Sequence, residues 1–188
     1  MRVWFIRHGE SETNKTGHYT GWSDVPLTEK GRSDALLARS ALKDVNFDKI
    51  YSSDLIRART TAEIAIPGCE YESTSLIREI NVGNLSGKPS SSLDDVQKKL
   101  VSKDGYKLFD GESVSEFTSR VSEFMKLLEN SNYQNVAVFS HAGFIRKVLD
   151  IVLGYVHPRK NVMCHNCTIA VFDYIDSVWK LHSWINLS

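Results

Sequence analysis

Two short apolar runs, far apart along the chain, each end on a histidine beside small residues. The run from Val3 to Ile6 is followed by Arg7-His8-Gly9, and the run from Val136 to Phe139 is followed by Ser140-His141-Ala142-Gly143. Unbroken apolar runs of this length are typical of strands that are buried on both faces of a parallel sheet. Ligands of open α/β sheets bind just beyond the carboxyl ends of such strands. Both histidines are therefore predicted to lie where a ligand would bind.

Helical and extended patterns alternate along the rest of the chain, which predicts an α/β fold. Helices are predicted at residues 29–43, 54–66, 112–130 and from 142 to about 153. Further strands are predicted at residues 47–52, about 69–75, 168–174 and 178–185, the last two as a hairpin or a pair of edge strands. Residues 9–27, rich in glycine and polar residues, are predicted to form a long functional loop. Because no linker divides the chain, residues 1–188 are predicted to form a single domain.

Capping residues indicate where two of these helices begin. Thr28 is predicted to cap the first helix, and Ser53 or Asp54 to cap the second. The residues of the first helix predicted to face the core are Ala35, Leu36, Ala38 and Leu42.

Charge and composition narrow the classes of function. The 188-residue chain has 23 Lys and Arg against 23 Asp and Glu, so it has no net field to attract nucleic acid or an anionic membrane. No apolar run approaches the roughly 20 residues of a membrane span, and the run at Val3 is too short for a signal peptide. Three cysteines without such a signal indicate a reducing compartment, and we expect a cytoplasmic protein. The oligomeric state is left open, with a homodimer among the options.

Three of the predicted strand ends carry residues suited to a phosphoryl group. Arg7 and His8 combine an anion clamp with a nucleophile. Arg57 lies in the first turn of the helix after the second strand, and His141 directly precedes another helix. Helix N-termini favour anions. If these strands are neighbours, two arginines, two histidines and two helix N-termini converge on one point, which suits a dianionic phosphoryl group better than a carboxylate.

Several blocks of the chain resemble, in the same order, the signature of the histidine phosphatase superfamily, in its phosphoglycerate-mutase-like branch. The blocks are Arg7-His8-Gly9-Glu10 with Asn14, residues 19–28, residues 53–58, Arg78-Glu79 with Gly83 and Gly87, Gly111-Glu112-Ser113, and residues 140–143. Together they cover nearly the whole chain. The resemblance implies a three-layer α/β/α fold with a mostly parallel central sheet. It also implies an enzyme that acts on a small phosphorylated substrate and needs neither a metal nor another cofactor.

The resemblance further implies a role for each residue of the site. His8 would carry the phosphoryl group during turnover, and Glu79 would donate a proton to the leaving group and then act as the base for water. The phosphoryl group and substrate would be held by Arg7, Asn14, Thr20, Gly21, Arg57, His141 and the backbone N–H of Ala142. In physical terms, the arginines and His141 would supply the charge that Mg²⁺ supplies in kinases.

Other interpretations of single residues stay open at this stage. Taken alone, His8 could be a structural histidine and Arg57 a solvated charge on a helix. Glu79 could pair with neighbouring Arg78 on the surface, an interaction worth little. Glu10 is interpreted as a loop or capping carboxylate, and another acidic residue, Glu12, as solvent-facing. The indole of Trp22, in the predicted loop, is expected to pack that loop down rather than to stack on a ligand.

The segment Cys164-His165-Asn166-Cys167, with His157 upstream, could be drawn as a zinc site. A lone C-x-x-C without a second pair is a poor signal for a metal. Cys167 is moreover predicted to lie in the first strand of the tail. No metal is predicted.

Three classes of function fit the resemblance: a phosphatase, a mutase that moves the phosphoryl group between hydroxyls, and a catalytically silent module. The silent module is disfavoured because the nucleophile and acid are both present. Mutases resembling this chain carry a longer insertion with arginines after the acid, whereas no arginine occurs here between Arg78 and Arg120. The cations in this interval are Lys88, Lys98, Lys99, Lys103 and Lys107.

Two single positions also differ from those of the mutases. Val82 stands where the mutases have a tyrosine, and Ser90 where they have a lysine. The segment at about residues 83–110 is therefore predicted to be a short, weakly basic cover that admits water, which favours a phosphatase. Residues 19–22 do resemble the mutase version of the loop, so a cofactor-dependent mutase remains the alternative.

Overall fold

A computed structural model describes residues 1–156 and 161–187. The strands in this part of the chain are β1 (Arg2–Arg7), β2 (Lys49–Ser53), β3 (Glu72–Thr74), β4 (Asn135–Ser140), β5 (Ile169–Ile175) and β6 (Val178–Ile185). They form one six-stranded sheet in the order β3-β2-β4-β1-β5-β6. Strands β1 to β4 are parallel to one another, β5 is antiparallel to β1, and β6 is antiparallel to β5. The predicted α/β fold with a mostly parallel sheet is confirmed.

Helices cover both faces of this sheet. They are α1 (Glu12–Thr16), α2 (Glu29–Leu42), α3 (Ile56–Ala65), α4 (Asp95–Asp104), α5 (Val114–Glu129) and α6 (Ala142–Leu153). Phe5 of β1 packs in one core with Phe144 of α6, whereas the next residue, Ile6, packs in a second core with Ala38 of α2. Because successive strand residues point to opposite faces, β1 needs apolar residues at every interior position. This burial on both faces explains the unbroken apolar runs.

The strand ends that carry the predicted chemistry lie side by side. Arg7 at the end of β1 is level with Ser140 at the end of β4, and Ser52 of β2 is level with Phe139 of β4. Since the three strands are parallel neighbours, the residues that follow them emerge at the same edge of the sheet. The fold therefore brings together three segments that are widely separated in the sequence.

The predicted cap of α2 is present in the structure, but one residue that was predicted to face the core is exposed. The hydroxyl of Thr28 accepts a hydrogen bond of 3.0 Å from the backbone N–H of Gly31, which confirms the cap. Three of the four residues predicted to face inward are buried, but Leu36 is 50% exposed. Leu36 follows buried Ala35 by one helical step of about 100°, which turns it toward solvent.

Neither residue predicted to cap α3 does so. The helix begins only at Ile56 and has no side-chain cap from the residue before it. Ser53 and Asp54 are instead engaged by a histidine and an arginine, as described below. The Oδ1 atom of Asp24, from the preceding long loop, accepts a hydrogen bond of 2.6 Å from the backbone N–H of Ile56. A distant residue thus satisfies part of the helix N-terminus.

The other differences concern where strands begin and end. The second strand was expected at residues 47–52 but spans Lys49–Ser53, and the third is only Glu72–Thr74 rather than about 69–75. Cys167 lies before β5 rather than within it and has a positive φ of 55°. The tail hairpin is confirmed, with its turn at Asp176 and Ser177, whose φ values are 52° and 62°.

Two segments at the end of the sheet where β1, β2 and β4 finish contain helices. Residues 9–27, predicted as a loop, include the five-residue α1. Residues 83–110, predicted as a cover, include α4 and short 3-10 turns. Within the described ranges, no helix combines the length and apolarity needed to cross a membrane.

Candidate active site

A cleft of about 190 Å³ opens at the edge of the sheet where β1, β2 and β4 end. All but one of the predicted site residues line it. They are Arg7, His8, Asn14, Thr20, Gly21, Arg57, Glu79 and Ala142. The exception, His141, lies against the nucleophile candidate, with 5.1 Å between the ring centroids of His8 and His141.

The imidazole of His8 has one nitrogen fixed as a donor. Its Nδ1 atom is 2.7 Å from the carbonyl oxygen of Gly9. A carbonyl can only accept, so Nδ1 carries the proton and Nε2 of the neutral ring keeps a free lone pair. Burial, followed by the positive charges of Arg57 and Arg7, lowers the pKa of His8 well below its usual value of 6.5. The ring is therefore neutral at neutral pH, as a nucleophilic histidine would have to be.

Helix α2 packs directly against Gly9, so position 9 has no room for a side chain. A Cβ atom at Gly9 would lie 2.2 Å from the carbonyl oxygen of Gly31 in α2. The backbone N–H of Gly9 donates to the hydroxyl of Thr61 in α3 over 3.1 Å. These contacts fix the carbonyl that orients His8.

The guanidinium groups of partly buried Arg7 and buried Arg57 line the cleft beside His8. Arg7 donates through Nη1 to the carbonyl oxygen of Cys164 over 2.5 Å. Arg57, only 1% exposed, donates to the carbonyl oxygens of Ser23 and Gly21 over 2.7 and 2.9 Å. In the described part of the chain, neither guanidinium forms an ion pair with a carboxylate. Their charges remain available to a bound anion.

The ionisation of Arg57 follows from its surroundings. Burial lowers the pKa of Arg57 to about 10, which still leaves the side chain charged at neutral pH. Its Nε atom, and that of Arg7, are buried without a hydrogen-bond partner among the described residues. Unpartnered buried donors of this kind are expected where an anion binds.

His141 precedes α6 and is completely buried. Its Nε2 atom is 2.9 Å from the hydroxyl of Ser53, and its Nδ1 atom is buried without a partner in the described ranges. Burial and then the charge of Arg57 lower the pKa of His141 well below 6.5. The contact with Ser53 was not predicted, because the sequence pattern suggested a helix cap at that residue.

Glu79 projects toward the start of α6 and not toward Arg78. Its Oε2 atom accepts a hydrogen bond of 2.9 Å from the backbone N–H of Gly143, and its Oε1 atom accepts one of 2.9 Å from the N–H of Ile80. Arg78 instead donates to the carboxylate of Asp54 over 2.7 and 2.6 Å. The alternative that Glu79 pairs with Arg78 on the surface is therefore wrong.

The amide of Asn14 is oriented by its neighbours. Its Oδ1 atom accepts hydrogen bonds of 3.3 Å from the backbone N–H of Ser11 and from Nδ2 of Asn166. Asn14 lines the cleft, and its Nδ2 atom is the group left to donate to a ligand. Thr20 is held by a hydrogen bond of 2.5 Å between its hydroxyl and that of Thr13.

The sequence profile of the histidine phosphatase superfamily (branch 1) matches residues 3–187. The chain belongs to this family. It is 30% identical over 195 residues to the probable phosphoglycerate mutase GpmB of Escherichia coli, an alignment that covers 98% of this chain and 90% of GpmB.

Two solved structures show how far the likeness to other histidine phosphatases extends. A provisionally assigned alpha-ribazole-5'-P phosphatase of Escherichia coli K-12 superposes with a TM-score of 0.86 at 26% identity, covering 100% of this chain and 98% of that one. A phosphoglycerate mutase of Thermus thermophilus superposes with a TM-score of 0.78 at 30% identity, with 100% of both chains covered. The relatives therefore include both a mutase and a phosphatase by name.

Several residues that line the cleft were not predicted. They are His18, Tyr19, Ile80, Val82, Tyr106, Gly143 and Arg146. Arg146 follows Ala142 by four residues on α6, and residues at this spacing share a helix face. That spacing could have predicted Arg146 once Ala142 was assigned to the site. None of the five lysines at residues 88–107 lines the cleft.

The remaining acidic candidates lie away from the reacting position. The Oε1 atom of Glu10 accepts a hydrogen bond of 2.8 Å from the hydroxyl of Thr28, so Glu10 is a loop carboxylate that contacts the capping residue of α2. Glu12 is exposed, as expected. Trp22 donates from its indole nitrogen to the carbonyl oxygen of Glu79 over 2.7 Å, so it packs the loop onto the turn that carries the acid.

The alternative zinc site gains no support from the geometry. The described residues contain no group of three or more His, Cys, Asp or Glu side chains arranged to hold a metal ion. Cys164 and Cys167 are both buried, and burial raises the pKa of the Cys167 thiol to about 12. His157 lies outside the described residues.

Proposed function

We propose that this histidine phosphatase hydrolyses small phosphomonoesters without a metal, through a phosphohistidine on His8. The observation that carries the proposal is the hydrogen bond from Nδ1 of His8 to the carbonyl oxygen of Gly9. It leaves Nε2 as a free nucleophile in a cleft that also exposes Arg7 and Arg57. Phosphoryl transfer depends chiefly on positioning and on charge stabilisation, and this arrangement supplies both.

The first chemical step would transfer the phosphoryl group to the enzyme. The lone pair on Nε2 of His8 forms a bond to phosphorus while the bond between phosphorus and the leaving oxygen breaks. Glu79 in its protonated form donates its proton to that oxygen, so the product leaves as an alcohol. Arg7 and Arg57 stabilise the charge on the phosphoryl oxygens throughout the step.

The second step would return the enzyme to its starting state. A water molecule attacks phosphorus and gives a proton to the Glu79 carboxylate. The bond between phosphorus and Nε2 breaks, and its electron pair returns to His8. Inorganic phosphate leaves, with Glu79 protonated again. In both steps the proton stays on Nδ1 and keeps its hydrogen bond to the carbonyl oxygen of Gly9.

The dimensions and lining of the cleft favour a compact substrate. Its volume of about 190 Å³ is below the roughly 300–1,000 Å³ typical of sites for drug-sized ligands. The lining also includes Ile80, Val82 and Tyr106, with Arg146 as a further cation. A small phosphorylated metabolite fits this description better than a phosphoprotein or a nucleic acid.

The competing function is isomerisation by a phosphoglycerate mutase. It is favoured by the names of two relatives and by the position of Tyr19, Thr20 and Gly21 in the lining. A mutase, however, must hold a doubly phosphorylated intermediate and keep water from the phosphoenzyme. The covering segment contributes Tyr106 but no lysine or arginine to the cleft. The covering segment therefore adds no cation to Arg7, Arg57 and Arg146 in the cleft, which favours hydrolysis.

The test is a direct comparison of phosphate release with isomerisation. A panel of small phosphomonoesters is assayed for inorganic phosphate, and 2- and 3-phosphoglycerate are assayed for interconversion with and without 2,3-bisphosphoglycerate. We expect phosphate release to be the faster reaction, with interconversion slow or absent. Interconversion that exceeds phosphate release and is stimulated by the bisphosphate would overturn the proposal in favour of the mutase.

A further inference from the structure

An ion pair outside the cleft holds the turn that carries Glu79. Arg120, on α5, donates to Glu112 through Nε over 2.9 Å and through Nη2 over 2.7 Å, a two-pronged contact. The side chains of Arg120 and Glu112 are only 13% and 14% exposed. Two-pronged contacts of this kind fix the orientation of a guanidinium group. Neither residue lines the cleft.

The remaining donors of Arg120 all bind the backbone of the acid-bearing turn. Its Nη1 atom donates to the carbonyl oxygens of Leu76 and Arg78, each over 2.9 Å, and its Nη2 atom donates to that of Glu79 over 3.1 Å. These carbonyls lie in a segment without a regular hydrogen-bonding partner strand. Arg120 thus fixes the chain on the N-terminal side of the acid.

Glu112 fixes the chain on the other side. Its Oε2 atom accepts a hydrogen bond of 2.7 Å from the backbone N–H of Asn81, and its own backbone N–H donates to the carbonyl oxygen of Asn81 over 2.9 Å. The ion pair therefore contacts the backbone both before and after Glu79. The carboxylate of Glu79 meets the N–H of Gly143 only if the turn between these contacts keeps its place.

We propose that Arg120 and Glu112 are positioning residues, which act through Glu79 to place its carboxyl group against the leaving oxygen. The inference rests on the proposed function, because it assigns proton donation to Glu79. A displacement of about 1 Å in a catalytic group can cost on the order of 100-fold in rate. Loosening the pair should therefore weaken the proton-transfer step more than it weakens binding of the phosphoryl group.

The test compares two leaving groups in the step that phosphorylates His8. The first variant is Arg120→Lys, which keeps the positive charge but cannot form the two-pronged contact. The second is Glu112→Gln, which keeps the shape of the side chain but loses its negative charge. Single-turnover rates are measured with an alkyl phosphate, whose leaving oxygen needs a proton, and with 4-nitrophenyl phosphate, whose leaving group needs little help. The control is Arg2→Lys, which disrupts a comparable two-pronged pair with Asp173.

We expect both variants to react about 10- to 100-fold more slowly with the alkyl phosphate and less than about threefold more slowly with the aryl phosphate. The Arg2→Lys control should change neither rate. The variant Glu79→Gln should abolish the effect, so that adding Arg120→Lys to it causes little further loss. A purely structural pair would instead lower both rates equally, and that result would overturn the inference.

Failure of the inference can be told apart from failure of the proposed function. If the unmodified protein neither releases phosphate nor labels His8, the proposed function is wrong. If the unmodified protein is active and the two variants lose activity equally on both substrates, only the positioning role is wrong. If Arg120→Lys does not fold, the same comparison is decided by Glu112→Gln, in which the amide oxygen can still accept from Asn81.

Discussion

The backbone N–H of Gly143 donates a hydrogen bond of 2.9 Å to Oε2 of Glu79, and a Cβ atom at Gly143 would stand 1.9 Å from Oε1 of the same carboxylate. The acid is therefore held by the first turn of α6, the helix that begins next to His141. Only glycine leaves room for this contact. The close approach ties Glu79 to the N-terminus of α6.

The substitution Gly143→Ala is predicted to displace Glu79 without unfolding the helix. Alanine is a better helix former than glycine, so helix propensity alone favours the change. We expect kcat on an alkyl phosphate to fall by at least about 10-fold. Steady-state kinetics and a thermal melt measure the two effects separately. Unchanged kcat on the alkyl phosphate would show that the contact has no role in turnover.

The substitution Glu79→Gln is predicted to act on the leaving group. Glutamine keeps the shape but cannot donate the proton, so the rate with an alkyl phosphate should fall by about 10²–10⁴. The rate of the phosphorylation step should fall less with an aryl phosphate. This rate is measured from the burst of alcohol or phenol release. Glu12→Gln, at an exposed position, is the matched control. Small and equal losses on both substrates would assign the acid role elsewhere, with Glu10 as the next candidate.

Local pattern was sufficient to predict most of the sheet and the strand ends at which the candidate site lies. The apolar runs ending at Arg7 and Ser140 are a direct consequence of burial on both faces, so β1, β4 and the histidines after them were predictable. Arg57 was placed correctly in the first turn of α3, because a short strand and a helical pattern bracket it.

Contacts between distant segments could not be predicted in this way. Glu79 and Gly143 are 64 residues apart, and Ser53 and His141 are 88 residues apart. No periodicity connects such positions, and local propensity suggested a cap at Ser53. The pair Arg78–Asp54 was missed for the same reason, since the nearest acidic neighbour in sequence is Glu79 and not the one in space.

The stability of the protein is predicted to fall as the pH drops below about 6.5. The pKa values of His8 and His141 lie well below 6.5 in the folded state because both rings are buried near Arg57. The unfolded chain therefore binds more protons below that pH, and each histidine lowers the unfolding free energy by roughly 1.4 kcal/mol per pH unit. Above pH 7 both histidines are neutral in the folded and in the unfolded chain, so neither makes the unfolding free energy depend on pH.

Denaturant unfolding between pH 5 and pH 7.5 measures this slope. The variant His8→Gln removes one of the two buried histidines and should reduce the slope by roughly 1.4 kcal/mol per pH unit. An identical slope in the variant and the unmodified protein would contradict the assignment of a neutral, buried His8.

Turnover is predicted to be independent of metal ions. The positive charge that stabilises the phosphoryl oxygens is assigned to Arg7 and Arg57, which are part of the chain. Incubation with EDTA should therefore leave kcat and KM unchanged within error. A rate that collapses on chelation and returns with Zn²⁺ or Mg²⁺ would require a different mechanism.

The most direct test of the central claim is the chemical identity of the phosphoenzyme. The protein is mixed with a ³²P-labelled phosphomonoester and quenched, and the label is followed through acid and base. A phosphohistidine is lost in acid and survives base, so the account predicts acid-labile label in the unmodified protein and in the control His182→Ala, and none in His8→Ala. Label that persists in His8→Ala, or that resists acid, would contradict the account.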